Sequence, residues 1–157
     1  IVSVAPMTVA SVRAIGKEPE GKAWTKMDQI LDAHQLRDIE NHPIYGFNNP
    51  EPAPGQTEYG YEFWVKIDPS IKTIENGQIK DFPGGLYAVT SCNLTQEAQS
   101  SFLQEKGMLK SWFLLNKWIR TSSYLPGNHQ WLEKQLGYPQ DDIDLILDLY
   151  FPIMRKS

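Results

Sequence analysis

Alternation of apolar and polar positions marks the clearest element of the chain. In Tyr59–Ile67 (YGYEFWVKI), Tyr59, Tyr61, Phe63, Val65 and Ile67 share one face of a strand, and Gly60, Glu62, Trp64 and Lys66 share the other. The last segment, Ile143–Ile153, has the same period: Ile143, Leu145, Leu147, Leu149 and Phe151 alternate with Asp144, Ile146, Asp148, Tyr150 and Pro152. Lys22–Leu36 differs, with Trp24, Met27, Ile30, Leu31 and His34 spaced three and four apart among charged residues, which predicts an amphipathic helix. The longest helical stretch, Leu94–Arg120, aligns Trp112, Leu115 and Ile119 on one stripe beside Phe113, and its Gly107 predicts a division or kink.

Shorter signals fill the rest. Val2–Ile15 is rich in β-branched residues and reads as a first strand, with Pro6 at an edge or at its beginning. A short strand at Ile44–Phe47 runs into a loop crowded with Pro50, Pro52, Pro54, Asn48, Asn49 and Gly55. Lys72–Asp81 is a weaker strand around the turn-like Asn76-Gly77, and Pro83-Gly84-Gly85 leads into the strand Leu86–Cys92. Gly127–Glu133 reads as a short strand entered from the Pro126-Gly127 turn. The order is β-α-β-β followed by β-α-β-β. It predicts an α+β fold of duplicated units, with antiparallel pairing and helices on one face, in a single domain over residues 1–157.

Composition narrows the function. A chain of 157 residues suits one domain. Lys plus Arg total 15 against 19 Asp plus Glu, net charge -4, with no basic block, which argues against direct nucleic-acid binding. No apolar run approaches the roughly 18 residues of a membrane span. Ile1–Val12 lacks the basic and apolar regions of a secretory signal, and the single Cys92 excludes an internal disulfide, so a cytoplasmic location is expected. The unusual feature is the aromatic content, 11%, from five Trp, seven Tyr and six Phe. Tyr61, Phe63, Phe113 and Phe151 are expected in the core by periodicity. Trp64, Trp112 and Tyr150 are explained less well by packing.

Two strands thus present an acid plus an aromatic away from the helices: Glu62 with Trp64, and Asp148 with Tyr150. The ordinary reading of such acids is a solvated face, although a large Trp beside Glu62 fits water poorly. Glu133, in HQWLEKQL, follows Trp131 by two and faces away from Leu132, and its ordinary reading is a surface residue near a turn. Enclosed by Trp64, Tyr150 and Trp112, it would floor an aromatic box selective for cationic or electron-poor planar ligands, at about 0.5 to 2 kcal/mol per ring. No metal or cofactor is expected: His34, His42, His129 and Cys92 lack ligand spacing, and Asp141, Asp142 and Asp144 lack that of a calcium loop. Gly84-Gly85 lacks the Lys and helix of a phosphate loop.

In order along the chain, YGFNNPEP, EYGYEFWVKI, FPGGLYAV, the passage from WFLLNKWIRTSSY to WLE, and LDLYFPI resemble the gyrase-inhibitor-like small-molecule-binding domain. That module is the effector-binding part of many AraC-type and some MerR-type regulators. The resemblance spans nearly the whole chain, from the first strand to Ile153. It implies a pseudo-twofold pair of strand-helix-strand-strand units, helices outside and a ligand cleft between the halves. It places the family's buried acid at Glu133, its final-strand Tyr at Tyr150, and further cleft aromatics at Trp64 and Trp112. These 157 residues hold no helix-turn-helix region, so a regulatory role would need either a longer parent chain or a separate partner. The expected function is a stand-alone binding module for amphipathic aromatic, cationic small molecules. The alternative is a hydrolase opening cyclopropane rings of DNA-alkylating natural products, with Glu133 and Glu62 as catalytic carboxylates. A haem carrier ranks last, because no His sits on the cleft face. The oligomeric state is left open.

Overall fold

A computed structural model describes residues 1–93, 101–138 and 146–157, with the side chains of 101–106 excepted. Along the chain lie β1 (Val2–Val4), β2 (Met7–Lys17), α1 (Glu20–Ala33), β3 (Ile44–Asn48), β4 (Glu58–Ile67), β5 (Gln78–Phe82), β6 (Gly85–Asn93), α2 (Ser101–Thr121), β7 (Tyr124–Pro126), β8 (Leu132–Gln135) and β9 (Ile146–Arg155). The fold is α+β, and the chain divides into two compact units, Pro6–Pro83 and Ile1–Ala5 with Gly84–Ser157.

In the first unit the strands run β3-β4-β2-β5, all antiparallel. The helix α1 packs on β2 and β4 through Ala23, Met27, Ile30 and Leu31, of which the last three are positions that the three-and-four spacing selects. Trp24 meets Phe63 edge-on at 5.3 Å, so the Tyr61, Phe63, Val65 face of β4 is the helix side, as the alternation predicts. The helix stops at Ala33, short of the expected Leu36. Gln35 takes a left-handed conformation (φ 56), and the Leu36 N–H turns back to the Leu31 carbonyl at 2.9 Å, which closes the last turn while both leucines stay buried.

The second unit repeats the plan with β8-β9-β6-β1 and β7 paired to β9. Its β6, α2, β8 and β9 correspond in order and neighbours to β2, α1, β3 and β4, so the duplicated β-α-β-β order is present. Ala88, Phe151 and Ile153 pack on Leu115 and Ile119 of α2, and Cys92, Leu147 and Leu149 pack on Met108 and Trp112. Leu147, Leu149 and Phe151 therefore face the helix as expected.

Four expectations need correction. The first strand is two: the chain breaks at Ala5-Pro6, and β1 pairs with β6 while β2 pairs with β4 and β5. In Lys72–Asp81 only the end is strand, because Asn76 is left-handed (φ 60) and holds the turn before β5. Gly107 does not divide α2, which is continuous from Ser101 to Thr121; residues 94–100 of the predicted helix, like 143–145 of the last strand, lie outside the described residues.

The fourth correction concerns Gly127–Glu133, where strand pairing is confined to Tyr124–Pro126 and Leu132–Gln135. Between these strands the His129 ring seats against Tyr87 at 4.8 Å, and its Nε2 lies 2.8 Å from the Leu86 carbonyl oxygen. Gly85 and Gly127 make room for that ring, since a Cβ on either would collide with it.

Candidate functional site

Register decides which side chains share the face of the first unit turned away from α1. Trp64 stands opposite Ser11 and Tyr45, and Glu62 stands opposite Arg13 and Phe47. On β5, Gln78, Lys80 and Phe82 stand opposite Ser11, Val9 and Met7 and so join the same face. The indole of Trp64 is walled by Phe47 at 4.9 Å and Phe82 at 5.3 Å. Trp64 is 7% exposed, and Tyr45 and Phe47 are 5% exposed. This face is thus an aromatic layer rather than a wet surface.

Glu62 sits within that layer, 2% exposed, where the ordinary reading would have placed it in solvent. A buried carboxylate must be met by donors or lose its charge. Four side chains meet it: Trp64 Nε1 donates to Oε2 at 2.6 Å, Ser11 Oγ at 2.8 Å and Lys80 Nζ at 2.8 Å, while Asn49 Nδ2 donates to Oε1 at 3.0 Å. Burial by itself pushes the Glu62 carboxyl up. The hydrogen bonds from Lys80, Ser11, Trp64 and Asn49 more than offset it, leaving Glu62 below its ordinary value and ionised.

The loop and strand motifs of the sequence explain this convergence. Asn49 N–H donates to the Gly60 carbonyl at 2.8 Å, and Gly60 N–H to the Pro50 carbonyl at 3.0 Å, which clamps the Pro-rich loop onto β4. A Cβ at position 60 would fall on the Asn49 carbonyl, so glycine is required for this approach. The clamp aims the Asn49 amide at Glu62, the next residue on the same face of β4.

The second unit offers a related pair. Tyr150 is 6% exposed, stands opposite Leu132 and Val89, and meets Tyr87 edge-on at 5.4 Å on the face turned away from α2. Burial, then the charge of Asp148, raises its pKa above the ordinary tyrosine value, so the phenol stays neutral. Asp148 accepts a hydrogen bond from Ser91 Oγ at 2.7 Å.

Other predicted site residues are placed differently. Glu133 stands opposite Leu149, on the α2 side of the sheet, and not with Tyr150. Trp112 lies on that side too, packing against both core clusters and tilted on Trp131 at 5.2 Å. Trp131 in turn covers Phe151 at 4.0 Å. The structure therefore brings Glu62 and Trp64 together, and it separates Glu133 and Trp112 from Tyr150 by the thickness of a sheet. Phe113, expected in the core, is 68% exposed.

Ser11, Asn49, Lys80, Phe47 and Phe82 were not picked out by the sequence. Alternation within QIKDF could have grouped Lys80 with Phe82, but their meeting with Glu62 depends on long-range register. Among the described residues no group of three or more metal-binding side chains occurs, and no helix is long and apolar enough to cross a membrane.

Comparison with known proteins gives this geometry a context. The profile of the integron-associated effector binding protein family, Cass2, matches residues 1–153. The chain belongs to that family. Membership in this gyrase-inhibitor-like group carries the coarse function, binding of a small-molecule effector. No curated protein matches the chain significantly.

Among solved structures, the EcmrR protein in its DNA complex aligns with 99% of this chain at 11% identity and TM-score 0.62. This chain spans 56% of that protein's length. An uncharacterised conserved protein from Listeria innocua aligns at 11% identity and TM-score 0.60, over 98% of this chain and 90% of that one. SAV2435 bound to tetraphenylphosphonium aligns at 11% identity and TM-score 0.52, over 98% and 92%. At such identity these likenesses concern the fold.

Proposed function

We propose that this member of the family binds amphipathic aromatic cations on the face of β2, β3, β4 and β5 that carries Glu62 and Trp64. The carrying observation is a carboxylate held ionised at 2% exposure in direct contact with an indole, inside a wall of rings. A charge so placed is poorly screened, and each ring face adds about 0.5 to 2 kcal/mol toward a cation. The tetraphenylphosphonium held by SAV2435 is a ligand of this chemical kind and supports the reading. In the second unit, taken by itself, Tyr150 lies on the face turned away from α2 and is a separate candidate for ligand contact.

The chemistry of Glu62 suits binding better than acid-base work. A cleft dyad needs one carboxyl that keeps a proton near neutral pH, and Glu62 is shifted the opposite way. Tetraphenylphosphonium titrated against tryptophan fluorescence tests the reading, with Glu62→Gln and Glu133→Gln alongside. Glu62→Gln is expected to weaken binding about tenfold or more, the order of one charged hydrogen bond, while Glu133→Gln stays within about twofold. Equal affinity of wild type and Glu62→Gln would overturn the assignment of Glu62.

A further inference from the structure

The Glu62 carboxylate is not bare. Its charge is already answered by Lys80, whose ammonium lies 2.8 Å from Oε2. The four donors around Glu62 are unequal in one respect. Ser11 is 4% exposed and Trp64 is 7% exposed, so both are fixed inside the layer, and Asn49 is held by the loop clamp on Gly60. The Lys80 side chain is 38% exposed, on a flexible stem and on β5, which pairs with β2 at the end of the first unit's strand path. Lys80 alone can withdraw into water and regain full hydration. If any other donor withdrew, a buried polar group would be stranded.

We propose that Lys80 is a tethered occupant of the cation position, which a ligand's positive group must displace from Glu62. The inference rests on the binding reading above and assigns Lys80 as the residue that sets ligand selectivity. In the exchange Glu62 is never left unpaired: one cation leaves as another arrives. A neutral aromatic cannot perform it, because expelling Lys80 would leave a buried carboxylate without a counter-charge. A compact ammonium gains little, since it gives up as much hydration as Lys80 recovers. A large delocalised cation, weakly hydrated and faced with rings, has the advantage. The other charged groups on this face, Arg13, Lys17, Glu58 and Lys66, are exposed and therefore screened by water.

Calorimetric titration of tetraphenylphosphonium into wild type, Lys80→Met, Lys80→Arg and Glu62→Gln decides the matter. Removal of the resident cation is expected to tighten binding about tenfold in Lys80→Met, the size of one partly screened charged hydrogen bond. Lys80→Arg, whose forked guanidinium grips a carboxylate more firmly, is expected to bind more weakly than wild type. A lysine that only supports the fold would give the reverse for Lys80→Met, with affinity lost. Lys80→Gln serves if Lys80→Met fails to fold, and is likewise expected to exceed wild type. If wild type binds and Glu62→Gln does not, yet the order Met above Lys above Arg is absent, the displacement proposal fails and the binding reading stands. If neither wild type nor any Lys80 variant binds the cation, both fail together.

Discussion

The indole N–H of Trp64 donates to Glu62 Oε2 at 2.6 Å, joining two side chains on the same face of one strand. The contact explains why a sequence of net charge -4 buries one of its acids in an aromatic layer instead of exposing it. Trp64 supplies the donor that makes the charge tolerable, and Glu62 satisfies an indole N–H that would otherwise be buried without a partner. The pair also fixes how stability depends on pH.

Glu62 is depressed in the folded protein relative to the free side chain. Its contribution to stability is fully present above the ordinary glutamate value and is lost as pH falls through the lower folded value. Glu62→Gln is therefore expected to be less stable than wild type at pH 7 by about 1 to 3 kcal/mol, with the gap closing in acid. Urea unfolding followed across the acid range checks this; a gap independent of pH would contradict it.

Gly60 and Asn49 separate backbone fit from hydrogen bonding. Gly60→Ala forces its Cβ onto the Asn49 carbonyl and must open the loop clamp, at an expected cost of about 2 kcal/mol or more. Asn49→Ala removes one donor to Glu62 and should cost about 1 kcal/mol. Denaturant midpoints of the two variants give the comparison, and an equal or reversed ranking would refute the clamp.

On α2, neighbouring apolar residues differ sharply in worth. Ile119 is 0% exposed within the Leu115, Phe151 and Ile153 cluster, and Ile119→Ala is expected to cost about 2 to 5 kcal/mol. Phe113 is 68% exposed, and Phe113→Ser should change stability by less than about 0.5 kcal/mol. Thermal unfolding of both variants measures the contrast.

What the sequence made legible follows from the range of its signals. Period-two alternation placed Phe63 toward α1 and Trp64 away from it, because a strand's faces are a local property. Three-and-four spacing found the buried stripe of α1 for the same reason. The division of Val2–Ile15 was not legible, since β1 and β2 differ in their distant partners and not in composition.

Glu133 shows the limit most clearly. Its local pattern set it apart from Leu132, but which face of the sheet that meant depended on the pairing of Leu132 with Tyr150. Lys80 was invisible as a site residue because it meets Glu62 only through the registers of β5 on β2 and β2 on β4. Phe113 was misread because an apolar residue beside a buried stripe need not belong to it.

The central claim is that the buried Glu62 charge, within its ring wall, selects cations. Tetraphenylphosphonium and tetraphenylborate share shape and size and differ in the sign of their charge, so their relative affinity isolates the electrostatic part. Calorimetric titration of both into the wild-type protein should show binding of the phosphonium at least about tenfold tighter than of the borate, the scale of one charged contact. Equal binding of the two ions, or preference for the borate, would contradict the account.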